Sequence, residues 1–247
     1  YRADKHIQDI EAISAPLRQR QEYPVVESMK SQKKGLVWEY RLDLSSELPP
    51  PLLPILIGDY MFNVRSALDH LAVAITPRKY RRKMSFPILT ADPLACDDSG
   101  NYLDAEAAHR WLSLQAWLPD DRFARLKALQ PYAASALNGK PAENHPLALL
   151  SAFQNADKHR ELINAIAGLA EAEIDCDDEV IRVRDGDILQ HRAMLVRERR
   201  KMEVKVEGVP LLGLARSDHV WSFDLLIKKL TAFVADEVLP RLEPLLE

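Results

Sequence analysis

The sequence predicts an α+β protein, a helical bundle with a small antiparallel sheet. Apolar residues recur at helical spacing over about residues 55–75, 146–170 and 222–246. Over residues 35–44, apolar and polar side chains alternate with the period of two that is typical of a half-buried strand. Segments between residues 173 and 207 are rich in Val, Ile and charged residues, and they favour further strands.

The other elements fit into one predicted domain, residues 1–247. In chain order they are an amphipathic helix within residues 1–20, a hairpin partner at 22–29, a proline-rich break at 49–54, a loop over 78–104 and helices near 104–118 and 120–130. Asp185-Gly186-Asp187 has the composition of a turn between two strands, and Pro240 is expected to kink or end the last helix. The helical core is therefore predicted over about residues 55–170 and 220–246, and the β elements over about 22–44 and 173–207.

Composition narrows the class of protein. The 247 residues are 47% hydrophobic and 28% charged, which is ordinary for a globular domain. A net charge of −4 argues against nucleic-acid binding through overall charge, although a local basic patch could still bind. Two cysteines without metal-type spacing argue against a disulfide scaffold. No apolar run approaches the ~18 residues of a membrane span, so we expect a cytoplasmic protein that does not cross a membrane.

Two very apolar helices each carry a stripe of polar side chains. On the 55–75 helix, positions i, i+4, i+7 and i+11 share one face, and they hold Asp59, Asn63, Ser66 and His70. On the 146–170 helix, the positions i, i+4 and i+8 hold Ser151, Asn155 and His159. Charged residues surround the second stripe, namely Asp157, Lys158, Arg160 and Glu161. Because buried polar groups need partners, we expect the two helices to be neighbours, with His70 and His159 facing one polar pocket.

Two interpretations of the stripes remain open. In the first they form a structural seam, in which each helix supplies the hydrogen-bond partners of the other. In the second they form a functional site, since a seam with two histidines and two asparagines is costlier than leucine packing. The candidate catalytic residues are then Arg65, His70 and His159, and the candidate binding residues are Asn63, Ser66, Asp69, Asn155, Asp157, Lys158 and Arg160.

The segment Arg65-Ser66-Ala67-Leu68-Asp69-His70 resembles the R-x4-H signature of HEPN-type ribonucleases, a family of helical bundles. The resemblance implies metal-independent cleavage of RNA that leaves a cyclic phosphate, often with the Arg and the His brought together across a homodimer. Arg65 would then stabilise the charge of the phosphorane, and His70 would move the proton of the 2′-hydroxyl. These roles suit a guanidinium, which matches phosphate oxygens, and an imidazole, which titrates near neutral pH.

Further features bear on an RNA partner. RSALDHL together with NADKHREL is similar to a pattern in bacterial proteins of unknown function, and this similarity groups the two stripes into one constellation. A basic run, residues 78–83, follows the first striped helix and could hold a phosphate backbone. Arg197, Arg199, Arg200 and Lys201 form a second basic cluster. A solvated loop and a hairpin tip are the simpler explanations of these two runs.

Other classes of function stay open or are disfavoured. His70 and His159 with Asp157, Asp69 or Asp59 could form a two-histidine, one-carboxylate metal site. Glu106-x-x-His109 is a single E-x-x-H, whereas di-iron bundles need two. A non-catalytic small-molecule-binding or assembly protein is a third class. The sequence contains no G-x-S-x-G, P-loop or Rossmann fingerprint, so nothing in it identifies a cofactor.

Overall fold

The computed structural model describes residues 2–15, 22–32, 35–45, 52–158, 164–177, 179–183, 189–190, 192–216 and 219–246. It confirms the α+β class, with helices and antiparallel sheets in one chain. The chain divides into two compact units, which are described separately below. Ala3–Ile57 and Leu162–Leu225 form the first unit, and Gly58–Glu161 and Leu226–Glu247 form the second. No helix in the described ranges combines the length and the apolar character that a membrane crossing requires.

The first unit contains helix α1, Arg2–Ser14, and two antiparallel sheets. The described strands are β1 (Glu22–Tyr23), β2 (Val25–Gln32), β3 (Gly35–Leu42), β4 (Asn164–Cys176), β5 (Glu179–Arg182), β6 (Leu189–Gln190), β7 (Met194–Glu198), β8 (Val204–Arg216) and β9 (His219–Ser222). The larger sheet has the order β1-β8-β4-β5, with β6 on β4 and β9 on β8, and the smaller has the order β2-β3-β7. The predicted hairpin of 35–44 with 22–29 is confirmed from Val25 onwards, since Val25 lies opposite Leu42 and Gln32 opposite Gly35, whereas Glu22–Tyr23 pair with β8.

Apolar side chains from both sheets form the core of this unit. The buried members are Tyr23, Leu42, Leu44, Leu169, Ala172, Ile174, Cys176 and Val206. On β3 the buried Tyr40 and Leu42 alternate with the half-buried Arg41, but Glu39 is buried as well, so the predicted period of two holds only over residues 40–42. The predicted turn at residues 185–187 lies outside the described residues.

The helical unit contains most of helix α2, Leu52–Ala74, which begins in the first unit. Its further helices are α3 (Ala105–Trp117), α4 (Asp120–Ala128), α5 (Pro131–Asn138) and α6 (Pro146–Lys158). The last helix starts as α7 (Phe223–Phe233), widens into a π turn (Val234–Val238) and continues as α8 (Leu239–Leu242). Buried side chains line up along these helices, among them Leu68, Trp111, Leu150 and Leu230.

Two element predictions need correction. The predicted helix 146–170 ends at Lys158 as described, and Asn164–Cys176 is a strand. A short apolar run fits a helix and a buried strand equally well, and here pairing with β8 decides the outcome. β8 likewise runs to Arg216, beyond the predicted limit at 207. The predicted helix near 120–130 is α4 and ends at Ala128, whereas α5 (Pro131–Asn138) is a helix for which no prediction was made; Pro131 is well tolerated in its first turn.

The C-terminal helix shows how Pro240 acts. Proline lacks an amide N–H, and its ring collides with the carbonyl of the fourth residue before it. The chain accommodates this by widening over Val234–Val238 into a π turn, after which the helix resumes at Leu239. The predicted kink therefore takes the form of a local change in helix type.

Candidate anion-binding cleft

A cleft of about 780 Å³ lies within the helical unit. Its walls come from α2, α3, α6 and the extended segment 83–89 between the first two of these helices. The polar and charged lining residues are Arg65, Lys83, Ser85, Asp104, Glu106, His109, Arg110, Ser113 and Ser151, and the aromatic ones are Phe86, Trp111 and Trp117. A concave site of this size, with an apolar wall and a few polar groups, is typical of small-ligand sites.

Arg65 is fixed in the wall of the cleft by Asp69, one helical turn further along α2. Its Nε and Nη2 atoms contact the two carboxylate oxygens of Asp69 at 3.3 and 3.1 Å. Nη2 also donates to the carbonyl oxygen of Phe86 at 2.7 Å, while Asp69 Oδ1 accepts the Phe86 N–H at 2.8 Å. The i,i+4 pair therefore holds both backbone groups of Phe86, and Arg65 is rigidly oriented.

The other end of the extended segment is held by the turn before α5. The buried Gln130 accepts a hydrogen bond from the Leu89 N–H at 3.2 Å and donates to the Leu126 carbonyl at 3.1 Å. The Tyr132 N–H donates to the Leu89 carbonyl at 3.1 Å. Because backbone contacts fix the segment at Phe86 and at Leu89, this side of the cleft is preformed.

The basic run begins where α2 ends, and its start is held by hydrogen bonds. Thr76 Oγ1 donates to the Ala72 carbonyl, Arg122 Nη1 to the Ile75 carbonyl and Arg81 Nε to the Thr76 carbonyl, at 2.7, 2.6 and 2.9 Å. These donors satisfy carbonyls that a helix end leaves free, and the two guanidinium groups also suit the negative end of the helix dipole. Arg81 of the basic run therefore has a structural role at the end of α2.

The other four basic residues of the run, which we call the basic segment, are Arg78, Lys79, Arg82 and Lys83. All four are exposed, and none has a carboxylate partner within the described part of the chain. Lys79 lies over the Tyr80 ring, with Nζ 4.6 Å from the centroid. Tyr80 stacks on Trp117 at 5.3 Å, which places the basic segment beside the end of α3 and the rim of the cleft.

The structure brings part of the predicted constellation to this cleft. Arg65 on α2 and Ser151 on α6 both line it, and Gln154 Nε2 donates to the Met61 carbonyl at 3.2 Å. Helices α2 and α6 are therefore neighbours, as predicted. His70 is exposed and is not a lining residue.

The remaining predicted residues lie elsewhere. Asn63 donates to the Asp59 carbonyl of its own helix at 2.7 Å, Ser66 is half-buried, and Asn155 is exposed. Asp157 and Lys158 belong to α6, but their side chains are outside the described set, as are His159 and Arg160 altogether. The predicted pocket shared by His70 and His159 therefore also lies outside the described residues. No group of three or more metal-ligating side chains occurs among the residues that the structure does describe.

The cleft includes residues that the sequence reasoning did not select, namely His109, Ser113 and Trp117 on α3. The same stripe criterion applied to α3 could have found this face, because Glu106, His109, Ser113 and Trp117 follow at i, i+3, i+7 and i+11. Glu106 forms an i,i+4 ion pair with Arg110 across the exposed start of the helix.

The second basic cluster has a different environment, in the first unit. Arg197 contacts Glu39 at 2.6 Å, Lys201 contacts Glu27 at 2.7 Å and Arg200 contacts Asp177 at 3.6 Å. Glu27 holds the pKa of Lys201 above its ordinary value through this hydrogen bond. Three of the four cations are thus paired with carboxylates.

Comparison with protein-family models, with curated proteins and with solved structures gives no match for this chain.

Proposed function

We propose that this is an RNA-associated protein that holds a single-stranded phosphate backbone on its basic segment. The observation that carries the proposal is the set of four exposed cations, Arg78, Lys79, Arg82 and Lys83, without carboxylate partners in the described part of the chain. Like charges so close in sequence repel one another, and an array of phosphates would relieve that repulsion.

The surroundings of the basic segment support a single strand as the ligand. Proteins that bind single strands combine a positive track with aromatic side chains on which bases stack. Trp117, which is half-buried and stacks on Tyr80, lies directly beside the segment and is a ring that a base can reach, while Phe86 and Trp111 line the cleft as buried side chains. The resemblance of RSALDH to the HEPN signature favours RNA over DNA as the partner.

The proposal extends to a HEPN-like, metal-independent endoribonuclease that acts as a homodimer. In this form His70 takes the proton of the 2′-hydroxyl, the 2′-oxygen bonds to phosphorus, and Arg65 stabilises the phosphorane charge. The P–O5′ bond then breaks to leave the cyclic phosphate, and the 5′-oxygen takes a proton from water. The two residues are five positions apart, so they point about 140° apart around an ideal helix. The exposure of His70 leaves its imidazole available to the active site of a second copy.

We also propose that the helical unit is packed as a bundle. Three contacts between helices support this: Gln154 to Met61, Tyr60 Oη with Thr231 Oγ1 at 3.2 Å, and Arg125 Nη1 to the Arg241 carbonyl at 3.0 Å. They join α2 to α6, α2 to α7 and α4 to α8. A crystal structure in which these helix pairs lie apart would contradict the bundle.

RNA binding is tested by measuring the affinity for a labelled single-stranded RNA over a series of salt concentrations. The variant carries Arg78→Glu, Lys79→Glu and Arg82→Glu. Each phosphate contact adds ~0.7 to the slope of log K against log salt for single strands, so losing three contacts should lower the slope by ~2.

The control variant carries Lys140→Glu, Lys228→Glu and Lys229→Glu, three exposed lysines of the same unit. It has the same change in net charge but leaves the basic segment intact. Equal losses of affinity in the two variants would overturn the proposed site, and a matched DNA strand that binds as well as RNA would overturn the choice of RNA.

Cleavage is measured separately, with the same RNA in EDTA. We expect cyclic-phosphate ends to form with the wild type and to disappear with Arg65→Ala and with His70→Ala. RNA that stays intact under all conditions would overturn the ribonuclease and leave the binding proposal standing. Cleavage that stops in EDTA would instead indicate a metal-dependent enzyme.

A further inference from the structure

The cleft beside the basic segment has opposite charges at its two ends. Lys83 lies at the end where Tyr80 stacks on Trp117, in the last turn of α3. Asp104 and Glu106 lie at the start of α3, eleven or more residues earlier, which is ~16 Å along a helix. The cleft therefore suits a ligand with an anionic group at one end and hydrogen-bond donors at the other.

Two cationic groups of the lining can hold a phosphate. Lys83 is exposed and has no carboxylate partner within the described residues, so its charge is not neutralised there. Arg65 contributes less charge, because Asp69 pairs with it. Its described contacts use Nε and Nη2, and the two N–H groups of Nη1 are further donors that the pair keeps in a fixed orientation.

The long wall between the two ends is aromatic and apolar. Trp111, Phe86 and Leu114 are buried lining residues, and Trp117 is half-buried. His109 and Ser113 add a nitrogen and a hydroxyl on the same wall. At the far end the carboxylates can accept hydrogen bonds from an exocyclic amine, although Asp104 already accepts the Ala107 N–H and Glu106 pairs with Arg110.

We propose that this cleft binds one nucleotide of the RNA strand, with its phosphate at Lys83 and Arg65 and its base along the aromatic wall of α3. The inference rests on the proposed function and deepens it, because it makes the cleft the position at which a single base is read. A volume of about 780 Å³ is within the range of sites that enclose small molecules.

The experiment measures the binding of AMP, adenosine and ribose 5-phosphate by calorimetry. The blocking variant is Ala107→Leu, which adds a larger side chain to a lining position, and the matched control is Ala116→Leu, on the exposed face of the same helix. We expect wild type and Ala116→Leu to bind AMP alike and Ala107→Leu to bind at least about tenfold more weakly, the loss typical of one or two contacts.

Lys83→Gln distinguishes the binding of the phosphate from the binding of the base. It should weaken AMP and ribose 5-phosphate but leave adenosine unchanged, because only the first two carry a phosphate. AMP that fails to bind the wild type, or that binds Ala107→Leu as tightly as Ala116→Leu, would overturn the nucleotide site.

The two proposals fail in different ways. If Ala107→Leu lowers AMP affinity while the charge reversal of Arg78, Lys79 and Arg82 leaves RNA binding unchanged, the cleft is a nucleotide site and the RNA track is wrong. If the charge reversal weakens RNA binding and Ala107→Leu does not change the affinity for AMP, RNA binding by the basic segment is supported and the cleft is not a nucleotide site.

Discussion

The two basic runs of this chain look alike in sequence but differ in their partners. In the run at residues 78–83, Arg81 is used by the end of α2, and the other four cations face solvent without carboxylate partners in the described structure. In the run at 197–201, three of four cations contact carboxylates from β2, β3 and the end of β4. The density of positive charge is therefore a poor guide to function, and the pairing of that charge is a better one.

Glu39 shows how far pairing goes in the second run. Its side chain is 1% exposed, yet it contacts Lys30, Arg197 and Arg41 at 2.7, 2.6 and 3.3 Å. The hydrogen bond from Lys30, followed by those from Arg197 and Arg41, outweighs the effect of burial and lowers the pKa of Glu39 to about 2. The three cations belong to the structure of the small sheet, since each would otherwise face another cation.

The largest effect that we predict is the loss of stability in Glu39→Gln. The substitution leaves three cations around a neutral amide, and removing a buried carboxylate that three cations contact is more damaging than removing a carboxylate from an exposed pair. Thermal melts at neutral pH should show the largest fall in Tm for this variant. The control is Glu207→Gln, which replaces an exposed carboxylate of β8. Equal melting temperatures for the two variants would contradict the structural role of the second basic run.

The same cluster predicts a dependence on pH. A carboxyl whose pKa falls on folding stabilises the protein fully above its unfolded value, which is 4.5 for Glu39, and the stabilisation is lost as the pH falls towards about 2. The difference in Tm between wild type and Glu39→Gln should therefore be constant from neutral pH down to about pH 5 and should shrink below it. A difference that grows on acidification would show that Glu39 is not held in its charged form.

Asp69→Asn tests the pairing of Arg65 in the other unit. Asp69 accepts the Phe86 N–H and both contacts from Arg65, so the variant should lose about 1–3 kcal/mol of unfolding free energy, as is usual when a hydrogen-bonded partner of a charge is removed. Asp59→Asn, on an exposed position of the same helix, is the control and should change little. Chemical denaturation measures both. A variant as stable as wild type would indicate that Asp69 is tuned for function and not for holding Phe86.

Much of the fold could be predicted because its patterns are local. The strand Gly35–Leu42 and the helix Leu52–Ala74 follow from patterns of neighbouring residues alone, and both elements are confirmed, although the buried Glu39 departs from the predicted alternation. Asn164–Cys176 could not be predicted from local pattern, because its strand conformation depends on pairing with residues of β8 that lie 28 to 51 positions further along the chain. Long-range pairing overrides the helical preference of its alanines and leucine.

The candidate site was predicted only in part for a similar reason. Arg65 was selected for its spacing to His70. Its i,i+4 spacing to Asp69 also predicts the ion pair that the structure shows, but its contact with Phe86 and its place in the cleft do not follow from spacing. The position of segment 83–89 depends on the contact between Gln130 and Leu89, and no sequence motif predicts that contact. The pairing of Arg197 with Glu39 likewise joins residues that are remote in sequence, which is why the two basic runs could not be distinguished without a structure.

The smallest effect on stability is predicted for Arg82→Ala, and it sharpens the comparison most. Arg82 is exposed and has no partner in the described structure, so its loss should change the unfolding free energy by no more than ~0.5 kcal/mol. Arg197→Ala removes a cation of similar exposure but breaks a contact with a buried carboxylate, so its Tm should fall measurably.

RNA affinity should show the opposite order: Arg82→Ala loses one phosphate contact and ~0.7 of the salt slope, while Arg197→Ala keeps the wild-type slope. Both variants lose one positive charge. If Arg197→Ala lowers only the stability and Arg82→Ala lowers only the RNA affinity, a general effect of net charge is therefore excluded. If both variants lose RNA affinity equally, or if Arg82→Ala is the less stable of the two, pairing does not separate structural cations from functional ones in this protein.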